Sequence, residues 1–263
     1  MILTSQNLVV AILALGGLAK AQDSYHLFNP VPRNQMRPLA ADRPDATESA
    51  QTVDAGHIQL EMDIAAYLKE GGNESFVFAN TNLKFGLLPD VDLQLVFAPY
   101  VRDEDDSGHS NLTVRVKWNL WGNDGETRSA FALLPYVDFS TGGESLGGDH
   151  VTGGIITPFS LELSGGWGLG GQLGIDLVRN AADDGYELDF SQTIVVGHEI
   201  GGPVAGFVEF ASVVPAHGDW IGTLNLGLTY AVNEDVQFDV ATFVGISDAA
   251  PDFVVLTGIT WRF

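Results

Sequence analysis

The sequence predicts an all-β fold: a transmembrane up-and-down antiparallel β-barrel of about 12 strands. Three observations predict it. From Gly56 to Phe263, segment after segment alternates apolar and polar residues with a period of two. These segments run to roughly 11 to 13 residues, enough for a tilted crossing of ~9 to 11, whereas soluble strands average ~5 to 6. Past residue 18 the chain contains no apolar run of 18 or more residues, as a membrane helix requires, although 45% of its residues are hydrophobic.

Before the barrel come two shorter pieces. Residues 1–21 read as a secretory signal peptide: the apolar stretch Leu8 to Leu18 is too short to span a membrane, and Ala19-Lys20-Ala21 offers a cleavage site before Gln22. Met1 to Asn7 lacks the usual Lys or Arg, so a retained anchor is the competing reading. Residues 22–55 carry Pro30, Pro32, Pro38 and Pro44 with no sustained periodicity, and read as an irregular leader on the periplasmic side. Residues 56–263 form the barrel.

Strand one, 56–68, places Ile58, Leu60, Met62, Ile64, Ala66 and Leu68 on one face and mostly polar residues on the other. The strands that follow fall at 75–87, 90–102, 110–120, 127–140, 151–163, 166–178, 185–197, 203–213, 219–231, 234–246 and 252–263. In 110–120, Leu112, Val114, Val116, Trp118 and Leu120 oppose Thr113, Arg115, Lys117 and Asn119. Two cations in a soluble core would cost several kcal/mol each, of order 3–5 when unpaired, but little in a wet lumen.

The connections alternate as bacterial barrels require. Acidic, glycine-rich pieces (Lys69 to Glu74, Asp103 to His109, Thr141 to His150, Asn180 to Asp184) follow odd strands, while Leu88-Pro89, Ser164-Gly165 and Val232-Asn233 follow even ones. Trp121 to Glu126 is longer than this pattern expects. Phe85, Trp118, Trp167, Tyr230 and Trp261 fall near one end of the apolar face, and Phe139, Tyr186, Trp220 and Phe253 near the other, as two interfacial girdles.

The 34 acidic and 12 basic residues give a formal net charge of -22, which excludes a nucleic-acid partner, since phosphate contacts need clustered Lys and Arg. There is no cysteine, hence no disulfide, thiolate metal site or lipoprotein anchor. No G-x-S-x-G or H-E-x-x-H motif occurs, and the histidines are scattered singly, so no catalytic residue, metal site or cofactor is expected. The acidic loop stretches 103–106 and 182–185 lack the spacing of a calcium loop.

With the polar face inward, the lumen is expected to carry Glu61, Asp63, Asp92, Asp138, Glu162, Asp176, Glu187, Asp189, Glu209 and Asp239 against Lys84, Arg102, Arg115, Lys117 and Arg262. Two readings stay open: an electrostatic constriction favouring cations, and a salt-bridged interior that holds the wall in register.

The closing stretch Gly258-Ile259-Thr260-Trp261-Arg262-Phe263 resembles the terminal strand of outer-membrane proteins, which implies handling by the barrel-assembly machinery through Phe263. Residues 41–49, Ala-Asp-Arg-Pro-Asp-Ala-Thr-Glu-Ser, followed by Thr52-Val53, Gly56-His57 and Gln59-Leu60-Glu61, resemble the opening signature of the transporter-like "MetA-pathway of phenol degradation" family. That resemblance implies an outer-membrane barrel with a channel or uptake role for small solutes, aromatic or hydrophobic ones among them; the expected protein is a monomer in outer-membrane lipid. Ala46 and Ala50 depart from the family pattern. The motif residues Asp42, Arg43, Pro44, Asp45, Thr47 and Glu48 have two readings: a plug that pairs with Lys84, Arg115 or Lys117, or a turn that directs the chain into strand one. A barrel without transport, serving as a structural or surface-interaction protein, is the alternative function; a secreted soluble β-protein is a further one.

Overall fold

The structure, a computed structural model, describes residues 25–103, 106–142, 150–180 and 185–263. The signal peptide expected at 1–21, and parts of the connections expected at 103–109, 141–150 and 180–184, lie outside the described residues.

Period-two patterning produces the strands it should. They are β1 (Ile58–Glu70), β2 (Asn73–Leu88), β3 (Val91–Phe97), β4 (Tyr100–Asp103), β5 (Asp106–Gly108), β6 (Leu112–Trp121), β7 (Ser129–Phe139), β8 (Thr152–Glu162), β9 (Trp167–Arg179), β10 (Tyr186–Gly201), β11 (Val204–Val214), β12 (Ile221–Asn233), β13 (Val236–Gly245) and β14 (Phe253–Arg262). Each pairs antiparallel with its neighbours, and β1 bonds to both β14 and β2, which closes the sheet into a ring. β2 pairs with β3 and then with β4, so β3 and β4 are one wall strand interrupted at Ala98-Pro99. β5 and β6 are likewise one, because they pair with β4 and β3 in turn. The wall is therefore a 12-stranded up-and-down barrel.

Burial is inverted relative to a soluble protein. Val208 and Leu226 are 63% and 50% exposed, while their neighbours Glu209 and Asn225 are 1% and 0%. Apolar side chains cover the outside, where only lipid can accommodate so many, and polar ones fill the inside.

Two expectations are corrected in detail. Strand one does not keep one alternation throughout: register shifts between Asp63 and Ala65, where Ile64 is an extra residue. Beyond it Tyr67 pairs with Val255, one of the exposed outer residues, so Ala66 and Leu68 turn inward instead of outward. Lys69 to Glu74 is not a loop, because both strands continue to a tight Gly71-Gly72 turn with φ of 57° and 100°. The long connection after β6 closes on itself: Asp124 accepts hydrogen bonds from the backbone N–H groups of Glu126 (2.9 Å) and Thr127 (2.8 Å) and from the Thr127 hydroxyl (2.7 Å). These bonds hold its carboxyl down at about 2.

Candidate functional site in the barrel lumen

Residues 41–55 run through the interior of the ring. Their hydrogen bonds and ion pairs reach inward side chains on β1, β2, β3, β6, β8, β9, β10, β11 and β13. A segment bonded to strands all around a closed wall lies within it. The wall leaves room in two ways. Ala130 and Ala132 of β7 pack against Ala50, all three fully buried. Gly258 of β14 sits between its cross-strand partners Asp63 and Asp239, and a Cβ there would overlap the guanidinium of Arg43.

Arg43 uses that space to bond both carboxylates, reaching Asp63 Oδ1 at 2.5 Å and Asp239 through two nitrogens at 2.8 and 2.6 Å. The following peptide, Arg43–Pro44, is cis. Asp42 lies at the centre of a second cluster. Lys117 Nζ donates to both of its oxygens at 2.8 Å, Lys84 bridges it to Glu61, and its own N–H donates to both Glu61 oxygens at 3.1 Å. Burial pushes the Asp42 carboxyl up, but Lys117 and Lys84 together hold it well below the usual carboxylate range.

Glu48 accepts from Arg115 Nη1 at 2.6 Å and Nη2 at 3.3 Å. Burial pushes its carboxyl up to about 7, with Arg115 opposing and Asp42 adding to the shift. Thr47 donates to Glu209 Oε1 at 2.5 Å, and Ala46 N–H donates to Oε2 at 2.9 Å. Asp45 is raised well above its usual value by burial and by Glu209, with Asp42 and Glu48 adding to it. Pro44 is buried between Arg43 and Asp45.

At the end of the ring that holds the barrel termini, the leader folds against the wall. Arg37 Nε bonds Asp54 at 2.7 Å, and Arg262 bonds Asp235 at 3.0 Å and the Arg37 carbonyl at 2.8 Å. His57 links the Val31 carbonyl (2.8 Å) to that of Phe263 (2.9 Å), a role its scattered place in the sequence did not suggest. Beside the inner segment, below β8 to β13, a cavity of about 440 Å³ remains, with Arg43, Asp45 and Glu162 among its lining.

Of the other expected lumen residues, Asp92 also touches the segment, while Asp138 and Asp176 bond within the wall. Asp92 accepts from Val53 N–H at 3.0 Å. Asp138 bonds Asn111 and Thr113, both at 2.7 Å, and Asp176 bonds Tyr136 and Ser191. Glu187 meets His217 at 3.3 Å, and Asp189 accepts from Ala216 N–H at 2.8 Å. Arg102 is a correction: it pairs with Phe76 on the face that carries the exposed Phe78 and Tyr100, because the break at Ala98-Pro99 changes which side the strand presents. Sequence reasoning also missed the neutral anchors Gln59, Asn119 and Gln172, which bond the carbonyls of Ala40, Ala50 and Ala46 at 2.8, 2.8 and 3.0 Å. Their only signal was a polar residue at an inward position. Among the described residues, no group of three His, Asp or Glu is arranged to hold a metal ion.

Comparison with known proteins places this architecture. No curated protein matches the chain. The NanC porin is similar to it over 78% of this chain and 100% of its own, with a TM-score of 0.58 at 9% identity. An outer membrane channel from Pseudomonas putida F1 is similar over 79% of this chain and 93% of its own, with a TM-score of 0.59 at 12% identity. Both share the fold. The profile of the family described as "Putative MetA-pathway of phenol degradation" matches residues 41–263, starting at the segment that enters the lumen, and the chain belongs to that family.

Proposed function

We propose that the protein is a monomeric outer-membrane channel for passive uptake of small solutes, with residues 41–55 as a plug that closes the lumen. The observation that carries this reading is the inner segment itself, whose charged side chains pair with a polar interior while the outside of the ring is apolar. A polar conduit through an apolar shell is the arrangement a solute path across lipid requires. The two similar structures, a porin and a channel, support it. The family description points to small aromatic or hydrophobic compounds as cargo. Residues 1–21 act as the export signal, outer-membrane lipid is the solvent of the wall, and Phe263 at the end of β14 engages the barrel-assembly machinery. The reading assigns no catalysis, cofactor or nucleic-acid partner.

A second reading, a structural barrel without transport, is favoured by how fully the segment neutralises the wall charges around Asp42 and Arg43. Single-channel recording in planar bilayers, with and without residues 22–55, separates the two. Discrete conductance steps that enlarge on truncation support a plugged channel. Silence in both proteins, with the wall shown to be folded, overturns it in favour of the structural barrel.

A further inference from the structure

The cavity beside the plug has a chemistry of its own. Elsewhere near the segment, carboxylates are matched: Glu61 by Lys84, Asp63 and Asp239 by Arg43, Glu209 by Thr47. Three that line the cavity are not. Asp45 accepts only from its own backbone N–H, and the side chains of Glu162 and Glu199 have no hydrogen bond or ion pair among the described residues. Arg43 also borders the space, but its donors are committed to Asp63 and Asp239. Carboxylates without a protein partner are thus gathered at one cavity, the part-buried Asp45 within it and the exposed Glu162 and Glu199 at its open side.

The same cavity has an apolar side, formed by Phe207 and Val195, and an unfilled floor. Gly168 and Gly197 are cross-strand partners on β9 and β10. A Cβ on Gly168 would meet nothing within 4 Å, and one on Gly197 only the Gly206 carbonyl oxygen at 3.7 Å. The space is therefore real room. The acidic groups are too dispersed to chelate a metal ion, since no three of them form a metal-holding group. A cation that reaches several dispersed carboxylates while covering an aromatic face must be larger and partly apolar.

We propose that this cavity binds a small organic ammonium ion bearing an apolar group, with Asp45, Glu162 and Glu199 facing the charge and Phe207 the apolar body. The inference deepens the channel reading by naming a solute class for its lumen. Burial and Glu209 make the unmatched Asp45 carboxylate costly, and an arriving cation relieves that cost.

The test is calorimetric titration of the full folded chain in detergent with 2-phenylethylamine, against phenylacetate as a probe of similar size and opposite charge. The amine is expected to bind saturably, at least about tenfold more tightly than the carboxylate, a factor equal to about 1.4 kcal/mol. Asp45→Asn and Glu199→Gln should each weaken amine binding by roughly that factor. Gly197→Val, which fills the floor, should abolish it, with Gly168→Val as the substitute if the first variant does not fold. Equal binding of the two probes, no binding of the amine, or unchanged binding to the filled cavity overturns the proposal. Conductance in the same preparations separates the two readings. If the truncated chain conducts but the amine does not bind, only the cavity assignment falls. If selective binding persists in a barrel that never conducts, the channel reading falls and the site stands.

Discussion

Replacing Asp42 by alanine removes the anion at which two buried ammonium groups meet. Lys84 keeps Glu61, but Lys117, fully buried, keeps only Glu48 at 3.9 Å and the Ser49 hydroxyl at 3.5 Å. Breaking a buried pair by deleting one partner costs about 3 to 5 kcal/mol, because the remaining charge is desolvated without compensation. Asp42→Ala also removes the acceptor for Ser49 N–H, which bonds Oδ1 at 2.8 Å. In the released state both lysines face a water-filled lumen, so nearly all of this penalty falls on the seated state. A 3 to 5 kcal/mol shift corresponds to about two to three and a half decades in the ratio of seated to released segment. The assay is open probability in planar bilayers, with heat-modified migration on gels as the control for an intact wall. The wall is held by a closed strand ladder that Asp42 does not join, so it should survive. If Asp42→Ala leaves open probability unchanged in a folded barrel, the Asp42 cluster does not hold the segment, and the energetic reasoning is refuted.

Further predictions follow from the same geometry. Seating should weaken as pH rises: the seated Glu48 carboxyl is raised to about 7 from its ordinary 4.5, so seating takes up a proton between those values, is fully favoured below pH 4.5 and loses that contribution as pH approaches 7. Asp45, also raised, acts in the same direction. Open probability should therefore be higher at pH 8 than at pH 5, and Glu48→Gln should flatten the profile; a rise in opening on acidification would contradict the assignment. Gly258→Val sets its Cβ against both the Arg43 guanidinium and the Met62 carbonyl oxygen of β1, so it should raise open probability as Asp42→Ala does but also weaken the β1–β14 seam, seen as a lower temperature of heat-modified migration on gels. Leu226→Arg, on the lipid face of β12, should cost about 2 to 4 kcal/mol in denaturant unfolding from lipid vesicles, whereas a conservative change at inward Thr223 should cost far less.

The wall was legible because lipid outside and water inside impose period two on nearly every strand, and Leu112 to Leu120 shows it without exception. Legibility failed where both faces carry similar residues. Past Ile64 the outward Tyr67 and the inward Leu68 are each at home near a membrane interface, so nothing in the composition marks the bulge. The misplaced Arg102 did have a signal: Pro99 stands inside the stretch first read as one strand, and a residue with no N–H to give interrupts a ladder. The inward cations Lys84, Arg115 and Lys117 could be read from cost alone. Their partners could not, because that depends on how the chain threads between opposite walls. Asp42 and Asp45 are chemically alike and three residues apart, yet one meets two lysines and the other meets none.

That contrast bears on whether the segment is a permanent stopper. Buried ion pairs rarely add much net stability, since the desolvation of both partners offsets their attraction. Release here would return every partner to water: the lysines, Arg43, Arg115 and the carboxylates they face. The pairs then fix where the segment sits more than how tightly it is held. Tightness falls to bonds that neither carry nor strand a full pair of charges, such as Asn119 to the Ala50 carbonyl and Gln172 to the Ala46 carbonyl, and to the burial of Ala50 against β7. Each such bond contributes only about 0.5 to 1.5 kcal/mol net. On the proposed plug reading, a segment positioned by charge and retained by a few neutral contacts is specific yet reversible.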